Sequence, residues 1–69
     1  MERKTLSKAE LAMQYAPDLT PHSAVNRLMA WIRLNPTLTA ALAAAHYHTR
    51  QKVLTARQVA LIVEHLGEP

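Results

Sequence analysis

The chain has 69 residues, a formal net charge of +3 and no cysteine. A length this short admits one domain. The missing cysteines exclude disulfides and thiolate zinc sites, and the longest apolar run, Ala40 to Ala45, is far too short to span a bilayer.

Hydrophobic residues make up 49% of the chain and there is a single glycine, Gly67. Enough apolar surface is present to fold, whereas tight β-hairpin turns lack their usual glycine. Abundant Ala and Leu then predict an all-α fold, a compact domain of four helices. So small a core leaves little room for a catalytic cleft. The expectation is a non-enzymatic binding module without a cofactor. The absence of a charged-then-apolar leader and of a membrane segment predicts a cytoplasmic protein.

Residues 1–6 read as a loose lead-in. Leu6-Ser7-Lys8-Ala9-Glu10-Leu11 then combines a capping box, Ser7 with Glu10, and a hydrophobic staple, Leu6 with Leu11. The helix it opens ends at Tyr15 or Ala16, because Pro17 disfavours helical geometry in the residue before it. Leu11, Ala12 and Tyr15 form its inward stripe.

Thr20 caps a second helix with Pro21 at its first position, where the missing N–H costs nothing. It runs to about Leu34, with Val25, Leu28, Met29 and Ile32 facing the core and Trp31 at the stripe's edge. His22, Asn26, Ala30 and Arg33 lie on the opposite face, beside Ser23 and Arg27.

Asn35-Pro36 repeats the cap-then-proline grammar and opens a third helix to Ala45 or His46, with Leu38, Ala41, Leu42 and Ala45 inward. Tyr47 to Val53 is the least regular stretch. Thr49 to Lys52 read as exposed loop, with a short extended piece around Lys52 to Leu54. Thr55 and Gln58 form a second capping box, and Leu54 and Val59 a second staple, starting a last helix that Gly67 ends. Val59, Ile62, Val63 and Leu66 are its inward stripe.

The charges are unevenly placed. No acid stands between Asp18 and Glu64, a span that holds Arg27, Arg33, Arg50, Lys52 and Arg57. A basic excess of this kind suits an anionic partner. The first two helices also carry a helix-turn-helix pattern, in which the second helix enters the major groove. Asn26, Arg27 and Arg33 are its candidate base contacts, since Asn pairs with adenine and Arg with guanine. Arg50 and Lys52 are candidate phosphate contacts. The turn from Ala16 to Thr20 is longer than usual and lacks glycine, and a plain helical hairpin reads the same way. A protein–protein adaptor, docking through an apolar groove or pairing with a second copy of itself, is therefore the second reading.

His46-x-His48 is the one metal-like spacing. Residues two apart do not share a helix face, and no acidic or sulfur ligand lies near them, so no metal is expected.

Several pieces together resemble a known group of sequences. These are Glu10-Leu11-Ala12, Tyr15-x-Pro17-Asp18-Leu19-Thr20-Pro21-x-Ser23-Ala24, Arg27-Leu28-x-x-Trp31-Ile32, Leu54-Thr55-x-x-Gln58-Val59-x-Leu61-Ile62 and the ending Leu66-Gly67-Glu68-Pro69. The chain resembles a family of short uncharacterised proteins, a domain of unknown function, from Bacteroides-type bacteria. Members often have glycine where this chain has His46. The resemblance implies a bacterial cytoplasmic protein and lends no activity or site.

Overall fold

A computed structural model describes residues 5–69. Six elements follow in chain order: β1 (Leu6–Ser7), α1 (Lys8–Tyr15), α2 (Pro21–Arg33), α3 (Pro36–Ala44), β2 (Val53–Leu54) and α4 (Ala56–Leu66). Among the described residues the regular structure is helical apart from the two short strands.

Each helix start has the local chemistry that the sequence supplies. Ser7 Oγ accepts from the Glu10 N–H at 3.0 Å, and Glu10 Oε1 accepts from the Ser7 N–H at 2.9 Å. Thr55 and Gln58 exchange the same pair of bonds at 3.2 and 3.0 Å. Thr20 and Asn35 cap α2 and α3 through the N–H groups of Ser23 and Leu38. These bonds satisfy donors that a helix leaves without partners at its N-terminus.

The third helix ends in a way that periodicity does not reveal. His46 takes φ 64°, the left-handed region. Its N–H reaches the Ala43 carbonyl at 3.1 Å and the Tyr47 N–H reaches the Leu42 carbonyl at 2.9 Å. This paired return is a Schellman motif, for which glycine is the usual residue.

The core joins Leu11, Leu28, Leu38, Leu42, Leu54 and Ile62, each at most 1% exposed, with Val59 beside them. α1 packs most extensively on α2, and α3 packs on α4. The α2 stripe differs from expectation: Ala24, Leu28 and Ile32 are buried, while Val25 and Met29 are only partly so. Ala12, Ala16 and Ala24 are all buried. Small residues at Ala12, at the α1 cap Ala16 and at Ala24 suit the α1–α2 packing, and the larger Val25 and Met29 stand at its edge.

The lead-in expected over residues 1–6 lies in part outside the described residues, which begin at residue 5. Within them, Leu6 is already structured. β1 and β2 pair antiparallel, Leu6 opposite Leu54 and Ser7 opposite Val53. The extended piece expected at 52–54 is thus the partner of the chain's beginning. This pairing ties the start of α1 to the start of α4.

Candidate nucleic-acid interface

The face of α2 that turns away from the core is open. His22, Ser23, Asn26, Arg27 and Arg33 are all exposed. At about 100° per residue, Asn26 and Arg33 lie within about 20° of each other around the helix. His22 shares that flank, its Nε2 3.4 Å from the Asn26 amide nitrogen. Arg27 stands on the other flank, about 120° from Arg33, in line with Ser23 and Leu34.

The loop between α3 and β2 is brought against the first of these flanks. Thr49 and Arg33 line one pocket; Lys52 and Val25 line another with Ser7 and Lys8. Arg50 and Lys52 are exposed. Thr49 and Lys52 thus lie beside Arg33 and Val25 on one side of α2, and Arg27 stands on the other flank. No acid occurs on α2, on α3 or in this loop.

Lys8 holds the loop in place, a role the sequence reading missed. The side chain is only 8% exposed. Its ammonium donates to the Thr49 carbonyl at 2.5 Å and lies 5.0 Å from the centroid of the Tyr47 ring. Its backbone N–H donates to the Lys52 carbonyl at 2.8 Å. On the far side, the Tyr47 hydroxyl donates to Met29 Sδ at 3.1 Å. Loop, α1 and α2 are thus linked through one cation and one ring. A signal was present in the sequence: Lys8 falls three and four residues before Leu11 and Ala12, on the same inward stripe.

Gln58 is the second missed residue. It is 1% exposed. Its Nε2 donates to the Ala45 carbonyl at 2.9 Å, and its Oε1 accepts from Thr55 N–H and from Gln51 Nε2. Gln51 also donates to the Val53 carbonyl, so it is half-buried rather than the exposed loop residue expected. The amide pair fixes both ends of the loop to the start of α4.

Of the expected histidine pair, His46 serves as the helix terminator and His48 is exposed beyond it. Among the described residues, no group of three or more His, Asp or Glu side chains converges as a metal site would require. No helix there is long and apolar enough to cross a membrane.

The fold and this side of the molecule define a small helical domain with a basic, acid-free surface. The chain belongs to the DUF4248 family, a domain of unknown function, whose model matches residues 2–69. No curated protein and no solved structure matches the chain.

Proposed function

We propose that the domain is a non-enzymatic nucleic-acid-binding or regulatory module of the helix-turn-helix kind, with α2 as its reading helix. One observation carries this: the outward face of α2 is uncovered and carries amide and guanidinium groups, flanked by a basic loop without a single acid. Such a face meets the needs of both base and phosphate recognition. In this reading Asn26 and Arg33 enter the major groove together, and Arg27 meets its opposite wall. Arg50 and Lys52 lie against the backbone. Because one short helix reads few bases, useful specificity needs a dimer or a larger complex. A bacterial cytoplasmic setting belongs to the same reading: the resemblance to short Bacteroides-type proteins supports the first part, and the cysteine-free composition is consistent with the second.

The test is anisotropy with labelled duplex DNA across a salt series. The proteins compared are the wild type, Arg27→Ala with Arg33→Ala, and Arg50→Ala with Lys52→Ala. Loss of a phosphate contact weakens binding to every sequence and lowers the salt slope by about one per charge. Loss of a base contact costs ~1–3 kcal/mol on a preferred site and little elsewhere. A wild type that shows no salt-dependent binding to random duplex at low salt eliminates this reading.

A second reading, an adaptor or self-associating module, draws on a different observation. Leu34 is 81% exposed at the end of α2, one turn beyond Trp31, which is itself 36% exposed. Of the other off-stripe residues that such a surface would need, Met13 and Leu61 are instead packed against the core. Sedimentation of the wild type and of Leu34→Glu distinguishes this reading: a monomer in both opposes self-association.

A further inference from the structure

Between α2, α3 and the following loop lies a pocket of about 250 Å³. Met29 and Ile32 from α2, Ala43 from α3 and Tyr47 from the loop supply its walls, and Arg33 is the one charged side chain among the residues lining it. The volume is equivalent to about eight waters at ~30 Å³ each. That falls below the ~300–1,000 Å³ of drug-sized sites and suits a single ring or a branched hydrocarbon.

The Thr39 and Tyr47 hydroxyls and the Thr49 carbonyl are already engaged with the protein, whereas no hydrogen bond or ion pair holds the guanidinium among the described residues. The Thr39 hydroxyl donates to the Ile32 carbonyl at 2.7 Å, and the Tyr47 hydroxyl donates to Met29 Sδ. The Thr49 carbonyl accepts from Lys8. Arg33 brings five N–H donors in a planar fork and no acceptor. Its charge is not offset by any acid on α2, α3 or the loop.

We propose that this pocket binds a small carboxylate with a compact apolar body. The carboxylate lies on the Arg33 fork and the hydrocarbon fills the space against Met29, Ile32 and Tyr47. A carboxylate matches a guanidinium in bidentate geometry. The apolar walls reward a hydrocarbon that inorganic phosphate lacks. This inference shares Arg33 with the nucleic-acid reading but does not rest on it, and its test contains no nucleic acid.

The experiment is a titration of the full chain with benzoate, followed by amide chemical shifts. Benzamide serves as the neutral isostere. Two variants accompany it: Arg33→Met removes the cation, and Ala43→Leu fills the space from α3. The expected result is a saturable shift with a dissociation constant in the millimolar range, centred on Met29, Ala43 and Tyr47. Benzamide, and benzoate on either variant, should bind at least about tenfold more weakly, a loss of about 1.4 kcal/mol. Each of three results overturns the proposal: no saturable shift with benzoate, equal binding of benzamide, or shifts spread evenly over Arg27, Arg50 and Lys52. Shifts at the pocket that depend on protein concentration alone, without benzoate, assign it to a second copy and also overturn it.

Discussion

The ammonium of Lys8 donates to the carbonyl of Thr49, 41 residues along the chain, and faces the ring of Tyr47 on the way. This contact sets where the loop carrying Arg50 and Lys52 lies relative to α2. A cation over an aromatic face contributes ~0.5–2 kcal/mol, more as water is excluded. Lys8→Met keeps the apolar stem but removes the donor and the charge. It should leave the helices intact while amide exchange of residues 48–52 accelerates. Lys8→Glu puts an unpaired carboxylate against a carbonyl and a ring face, and should cost ~3 kcal/mol or more. Thermal melts and hydrogen exchange measure both effects.

His46 is a conformational cost built into the end of α3. A left-handed L-residue costs ~1–2 kcal/mol, and glycine avoids it while giving back ~0.4–1 kcal/mol in unfolded-chain entropy. His46→Gly should therefore stabilise the domain by roughly 0.5–1 kcal/mol, raising the melting temperature by several degrees. His46→Val should lower it, because a β-branched residue is poorly tolerated at positive φ. A His46→Gly protein that melts below the wild type would contradict the strain argument.

Gln58 contributes through its hydrogen-bond partners rather than through its volume. Gln58→Leu retains the bulk, strands the Ala45 carbonyl and the Thr55 N–H, and leaves the Gln51 amide with the Val53 carbonyl and the His48 N–H as its partners. The expected loss is ~1–3 kcal/mol. Gln51→Ala removes only the outer partner and should cost less. Denaturant titrations of the two variants should preserve that order.

The two caps should differ in pH response. Ser7→Ala and Thr55→Ala are each expected to cost ~0.5–2 kcal/mol. Only the first box contains an acid. The Ser7 backbone N–H, and then its hydroxyl, hold the Glu10 carboxyl below its ordinary value. A folded-state value below the unfolded one gives a contribution present above the unfolded value and lost as pH falls through the folded value. The wild type should thus lose the Glu10 contribution in acid, whereas Glu10→Gln should show a flatter melting temperature over the same range. Identical acid profiles for the two proteins would remove Glu10 from the cap.

The parts of this fold that were legible in the sequence are those whose physics is local. A capping box acts over three residues, a proline at the first helical position acts on its own dihedral, and an apolar stripe repeats within one helix. Ser7, Thr20, Asn35 and Thr55 accordingly mark all four helix starts. The exposure of Asn26, Arg27 and Arg33 also followed from helical periodicity. The strand pair did not, because two-residue strands have no period, and Leu6 meets Leu54 only after the helices between them have packed. The same holds for Lys8 and Gln58: each reads locally as a solvated or capping residue, and only contact with a distant carbonyl makes its burial favourable. The burial of Ala24 in place of Val25 and Met29 on α2 likewise depends on packing against α1, not on the period of α2 itself. The sequence thus determined where helices begin and which residues they expose; tertiary contact decided which side of α2 the basic loop joins, because that depends on groups far apart in the chain.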